Sequence, residues 1–289
     1  RSPTIKFKYI ILVDENSVPK AFASIQIIDF YVDTIKNDLK SFITKAKRFG
    51  KKLHIFPDDK PLKILICGNT FVSGEHGIFI NHNQDKKTII KELAKAILHL
   101  TNSDKTLKID AFLLKDFVNE SLFITDELKD YRYHPFSVEP NMILHLDENW
   151  HNFDDYLQAL KTKFRVKAKK ALQLSKSLRI ENITLENIEI QLPEMTKLYQ
   201  KVATNASFNL ADFNLKTYKD FKAKLGDNYL LKTYWLDNKI VGFMSGIINN
   251  NSLDAHFVGI DYQLNRTYAI YQRMLYDYIE IAIQQKVNV

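Results

Sequence analysis

The residues best equipped for chemistry lie close together near the end of the chain. In Leu253-Asp254-Ala255-His256-Phe257-Val258 an extended backbone would put Asp254 and His256 on one face and Leu253, Ala255 and Phe257 on the other, because side chains alternate along a strand. A histidine next to a carboxylate can take a proton from a nucleophile such as an amine, which makes His256 the first candidate base and Asp254 its companion. The same two residues would equally serve as hydrogen-bonded structural groups at a sheet edge. Asp261, Arg266, Thr267, Tyr268 and Tyr271 follow at the carboxyl end of that run and the start of the next helical one, a common ligand position in α/β folds. Asp261 joins the candidate catalytic groups and Arg266 and Thr267 are candidate phosphate contacts, whereas Tyr271 reads as helix packing.

A second feature is electrostatic. Between Lys161 and Arg179 stand eight basic residues (Lys161, Lys163, Arg165, Lys167, Lys169, Lys170, Lys176 and Arg179) and no acidic one. The chain holds 41 Lys and Arg and 34 Asp and Glu, so without these eight the balance is 33 against 34, and the whole excess charge is one local patch. Several lysines on a helix face give sequence-independent attraction for phosphates, so Lys163, Arg165 and Lys169 are candidate contacts for an anionic carrier, whether the phosphates of CoA or a tRNA. A plain solvated face is the alternative, although like charges along one helix repel each other.

The elements that must position these groups can be read from periodicity. Asn152 can cap a helix with Asp154 and Asp155 in its first turn, and Tyr156, Leu157, Leu160, Phe164, Ala168, Ala171 and Leu178 form its apolar stripe, leaving the basic cluster opposite. Further helices are predicted over 193–203, with Pro193 at a first-turn position, and over 217–225. Runs 229–236, 239–249 and 252–260 are joined by short Asp- and Asn-rich turns and read as an antiparallel meander. A helix over 267–285 follows.

In the first half, 6–14 and 21–30 form a hairpin and 35–48 is a basic, helix-compatible segment. Residues 62–68 suit a buried strand, 86–100 an amphipathic helix and 107–114 a strand, an order that predicts a parallel βαβ crossover. A helical stretch near 120–129 and a last apolar run, 141–146, close this half. Both halves share the order hairpin, strand, loop, helix, strand, which suggests a degenerate duplication. The expected fold is α/β (α+β): two domains, 1–147 and 148–289, each a mixed sheet flanked by helices. At 289 residues and 45% hydrophobic composition, two cores are expected rather than one.

Several chemistries find no support. One cysteine, Cys67, excludes a disulfide framework or a multi-cysteine zinc site and reads as a small buried hydrophobe. His76 and His82 do not form a helical metal pair, and no metal is expected. The glycine loop 68–77 lacks the Lys-Ser/Thr of a P-loop, and no Gly-x-Ser-x-Gly elbow occurs. No apolar stretch approaches membrane-span length and no signal-peptide core opens the chain, so a cytoplasmic location is expected. The sequence ends where an αβ unit would enter its next strand, so further residues are expected beyond Val289.

Three segments resemble a known family. Phe153-Asp154-Asp155-Tyr156-Leu157, with 160–165 and Lys169-Lys170-Ala171, is similar to the opening of FemAB-like and CelD-like transferase domains of the GNAT superfamily. Lys239-Ile240-Val241-Gly242-Phe243 resembles the strand carrying their Ile-Val-Gly exit. Phe257-Val258-Gly259-Ile260-Asp261 and the helix ending at 278–283 resemble their core strand and following helix.

The resemblance covers 149–289, and the first half only by topology. It implies an acyltransferase or aminoacyltransferase of the peptidoglycan, bacterial cell-wall type, built from two GNAT-like domains. Such a protein takes its group from acyl-CoA or aminoacyl-tRNA and gives it to an amine, either a small molecule or a cell-wall precursor. In N-acetyltransferases of this superfamily a Gly-x-Gly/Ala turn brings backbone amides to the CoA pyrophosphate. Here Arg266-Thr267-Tyr268-Ala269-Ile270-Tyr271 puts alanine at the first glycine, a departure shared in kind with FemAB proteins, which use tRNA. The main alternative is a catalytically silent GNAT-like module that binds nucleic acid or an anionic surface through 161–179. Peripheral membrane contact with a long-chain donor is a third possibility, and the oligomeric state is open.

Overall fold

A computed structural model describes residues 5–30, 61–137, 141–206 and 209–287. The expected helix over 35–48 lies outside the described residues. Contacts divide the chain into two units, residues 1–141 with 207–213, and residues 142–206 with 214–289.

The first unit is built on the hairpin that the sequence predicts, β1 (Lys6–Val13) and β2 (Pro19–Phe30), joined where Asp14 accepts hydrogen bonds from the Asn16 and Val18 amides. β3 (Leu62–Cys67) pairs antiparallel with β2 and parallel with β5 (Ala111–Leu114), and β4 (Ile78–Ile80), which the sequence does not announce, adds to β2. Helix α1 (Lys86–Ser103), capped by Asp85, makes the crossover and buries Ile89, Ile90, Leu93, Ala94 and Ile97. The predicted βαβ unit is therefore present. Residues 119–131 form a string of short helical turns rather than one helix.

The apolar run 141–146, expected to close this half, is not a strand of the first sheet: Leu144 and Leu146 pack onto the core of the second unit while Met142 is 90% exposed.

The second unit opens with α2 (Phe153–Ala159), where Asn152 and Asp155 form a reciprocal capping box. The predicted long helix breaks at Leu160 and Lys161, both with extended ψ, and restarts as α3 (Thr162–Leu174). The break resets the helical phase, so Phe164, expected on the apolar stripe, is 51% exposed while Ala168 and Ala171 remain buried. Helix α4 (Ile188–Asn205) begins five residues before Pro193, which sits inside it rather than in its first turn. Burial of Ile188 and Gln191 outweighs the one ladder hydrogen bond lost at the proline.

Helix α5 (Thr217–Leu225) leads into the meander β7 (Tyr229–Leu236), β8 (Lys239–Asn249) and β9 (Ser252–Ile260), as predicted, with β6 (Arg179–Asn182) at the outer edge of β7. These four strands are antiparallel throughout, so mixed pairing belongs to the first sheet. The last predicted helix is α7 (Ile270–Gln285), and a short helix that the sequence does not announce, α6 (Tyr262–Tyr268), precedes it across Ala269. α7 lies on the sheet where Gly242 leaves room for it, since a Cβ there would stand 2.5 Å from Met274 Cε.

Candidate functional site

Three neighbouring groups in the second unit can be built from its residues. The first is a polar cluster at a bulge. Between Met244 and Gly246 of β8 the register with β9 shifts, so that His256 and Phe257 together oppose Ser245. The shift removes ladder partners from Phe257, and the Ser245 hydroxyl replaces them: it accepts from the Phe257 amide and lies 3.0 Å from the Phe257 carbonyl oxygen. The same hydroxyl is 3.1 Å from the Tyr218 hydroxyl and 3.3 Å from His256 Nδ1, and Tyr278 donates to the Ser245 carbonyl at 2.6 Å.

The strict alternation assumed for β9 fails at this bulge, so Phe257 is not opposite His256 as expected. Instead their rings are 4.2 Å apart, and His256 also adjoins Tyr218 and Phe221. Burial among these rings pushes the imidazole down to about 4, so it is neutral at pH 7. Asp254 is exposed, one residue outside the bulge. Tyr229, fully buried beside Tyr218, has a hydroxyl without a well-placed hydrogen-bond partner, and burial pushes its ionisation far up.

The second group is the turn after β9. Asp261 is 4% exposed; its amide donates to Val241 O and its carboxylate accepts from the Gln263 amide to cap α6. Burial by itself would raise its pKa, but Lys201 at 3.4 Å, the Gln263 amide and Lys239 at 3.6 Å outweigh burial and hold the carboxyl below its usual range. Such a carboxylate is a firm cap and a weak proton acceptor. Arg266 and Thr267 are exposed on α6. Ala269 then adopts φ 47° and ψ 40°, the left-handed conformation that a glycine would take without cost, and Asn265 reaches across to accept from the Tyr271 amide at the start of α7. Ala269→Gly is expected to be tolerated or to stabilise by up to about 1 kcal/mol, whereas Ala269→Val should cost about 2 kcal/mol in thermal or urea unfolding.

The third group is α3. It packs against α6 and α7, which brings the basic helix next to the Arg266 turn. Of the predicted contacts, Lys163 and Lys169 are exposed, as are Lys161, Lys167, Lys170 and Lys176. Arg165 is used differently: its guanidinium donates to Gln158 O at 3.1 Å and Leu160 O at 3.4 Å, closing the end of α2 at the helix break. Arg179 lies over the Trp235 ring at 4.9 Å and pairs with Glu181.

Residues the sequence reading missed form a buried network beside this site. Arg273 donates to Asp277 at 2.7 Å and the Tyr234 hydroxyl donates to the other Asp277 oxygen at 2.5 Å, with the carboxylate 4% exposed. Burial, then the neighbouring carboxylate, raises the Tyr234 ionisation well above its ordinary value. Two signals were present: the i, i+4 spacing of Arg273 and Asp277 inside an apolar stripe, and a lone serine in the apolar run of β8. Among the described residues no group of three or more His, Cys, Asp or Glu is placed to hold a metal ion, and no helix is long and apolar enough to cross a membrane.

No protein-family model matches the chain, and no curated protein matches it. Among solved structures the chain is similar to FemX, with 10% identity over 99% of this chain and 79% of that one and a TM-score of 0.47. It is also similar to the C-terminal domain of a candidate lysylphosphatidylglycerol synthetase from Agrobacterium fabrum, with 9% identity over 93% of this chain and 67% of that one and a TM-score of 0.43. An aminoglycoside acetyltransferase from an uncultured soil metagenomic sample shares 15% identity over 36% of this chain and 72% of its own, with a TM-score of 0.26. Likenesses of this size concern the course of the chain and leave its chemistry to the residues.

Proposed function

We propose that the second unit is an acyltransferase that moves an acyl or aminoacyl group from a phosphate-bearing donor, acyl-CoA or aminoacyl-tRNA, to an amine. The observation that carries this reading is the packing of the lysine-rich α3 against α6, the short helix that carries the exposed Arg266 and Thr267, and against α7. Exposed lysines attract phosphates, so the exposed cations of α3 together with Arg266 would hold a donor's phosphates. The amine then approaches the β9 bulge, where Asp254 is open to solvent and His256 is neutral and able to accept a hydrogen bond. A small-molecule amine or a cell-wall precursor would suit that acceptor position.

Donor binding tests the reading. Arg266→Ala, or Lys163→Glu with Lys167→Glu, Lys169→Glu and Lys170→Glu, is expected to weaken the affinity for acetyl-CoA, a long-chain acyl-CoA or an aminoacyl-tRNA at least tenfold in calorimetric titration. Turnover with an amine acceptor should fall on His256→Gln or Asp254→Asn with the fold intact. A second reading has its own support, namely the depth at which His256 is buried and the commitment of Asp261 to capping. It is a binding module without catalysis, which would ignore these two substitutions, bind bare nucleic acid or anionic surfaces with steep salt dependence, and lose that affinity with the four lysines.

A further inference from the structure

Strand β1 is the edge of the first unit's sheet, and among the described residues no strand pairs with its outer side. Natural edge strands are guarded by short length, proline, bulges or charges pointing outward. β1 carries Lys6 and Lys8 in its first three residues, but none of these guards occurs from Tyr9 to Val13. It is eight residues long without proline, and the bulge in its pairing lies on β2, where Lys20 is the extra residue opposite Leu12 and Val13.

One face of β1 packs Ile10 and Leu12 over the core beneath α1. The other presents Phe7, Tyr9, Ile11 and Val13 at 54%, 63%, 59% and 48% exposure, continued by Phe79 on β4 at 66%. With aromatic side chains of roughly 150 to 250 Å² each, this is several hundred Å² of contiguous apolar surface, at or above the largest patch an ordinary monomer leaves open.

We propose that β1 pairs antiparallel with β1 of a second copy of this chain, joining the two sheets across a two-fold axis. The sequence of the strand is complementary to itself in one register. With Ile10 opposite its own copy, Phe7 faces Val13 and Tyr9 faces Ile11 on the exposed side, which are favourable aromatic with aliphatic cross-strand pairs. On the other side Lys8 faces Leu12, and Lys6 lies opposite Asp14, the residue after the strand, whose carboxylate accepts from two turn amides. A shift by two residues toward the carboxyl end shortens the ladder, and one toward the amino end keeps its length but sets Tyr9 against its own copy and Lys6 against Leu12. The backbone groups on the outer edge of β1 gain partners, and the flanks of four large side chains per copy leave water.

Sedimentation velocity or light scattering of the whole chain, from low micromolar to hundreds of micromolar, gives the mass directly. A concentration-dependent dimer is expected. Tyr9→Lys with Ile11→Lys should give a monomer with an unchanged circular dichroism spectrum, because both side chains are exposed. A chain that stays monomeric throughout, or a dimer insensitive to the β1 substitutions, overturns the proposal.

Discussion

Arg273→Met is expected to remove about 3 kcal/mol of stability at neutral pH, among the largest effects of any single substitution in the second unit. Asp277 is 4% exposed and its two carboxylate oxygens are used by Arg273 at 2.7 Å and Tyr234 at 2.5 Å. Removing the guanidinium leaves a buried negative charge with one neutral donor, which costs more than the pair contributed when intact. Asp277→Leu should cost less, because Arg273 is 25% exposed and can turn to water, though Tyr234 then keeps only its contact with Met244 S at 2.9 Å. Combining Arg273→Met with Asp277→Leu and Tyr234→Phe removes every member of the network, and the apolar replacement should recover most of the loss. Urea unfolding of the single and combined variants measures this cycle; additive losses, with no recovery in the combined variant, would show that the three side chains do not act as a unit.

The second large effect is a pH dependence. His256 is neutral in the folded chain because burial lowers it to about 4 from the 6.5 of a free histidine. Above pH 6.5 neither the folded nor the unfolded chain carries the proton, and stability is fully present. As pH falls from 6.5 through 4 the unfolded chain binds a proton that the folded chain refuses, so stability is lost across that window. At about 1.4 kcal/mol per pH unit the loss is roughly 2 kcal/mol at pH 5 and approaches 3 near pH 4. Carboxylates with lowered pKa, Asp261 among them, add to the loss at the acid end. For that reason His256→Gln is the control: its urea midpoint should fall less steeply between pH 7.5 and pH 5 than the native chain's. Equal slopes would place His256 in contact with water in the folded state and return it to the role of an ordinary accessible base.

That outcome bears on the proposed chemistry. A group at about 4 is a weak base near neutrality, so within the acyltransferase reading His256 accepts a hydrogen bond from the amine more readily than it removes a proton. Asp254, exposed two residues away, then serves to attract the amine as a cation. The two substitutions separate these parts, since loss of the carboxylate should raise KM for the amine and loss of the hydrogen bond should lower kcat.

Local rules carried much of the fold into legibility. The two hairpin strands, the crossover helix and the meander follow from periods of 2 and 3.6 residues, from the Asp237-Asn238 and Asn249-Asn250-Asn251 turns, and from the Asn152 capping box, all of which act over a few residues. The lysine run of 161–176 was equally plain, because six of its charges need only water and stay exposed.

What the tertiary structure alone decided concerns residues whose partners lie far along the chain or whose backbone departs from a regular period. The break at Leu160-Lys161 divides one long predicted helix, removes Phe164 from the core and gives Arg165 carbonyls to close, and Ala269 sets off a short helix, α6, that periodicity did not announce. The bulge at His256 and Phe257 exists because Ser245, eleven residues earlier, can satisfy the backbone it frees. Asp261, a candidate catalytic carboxylate in sequence, is buried as the cap of α6 and paired with Lys201, sixty residues away. The sequence determined which residues are hydrophobic, charged or able to cap. Which of the polar ones are buried, and therefore which have their basicity changed, depended on packing across the sheet, because desolvation is a property of the whole surroundings and not of neighbours along the chain.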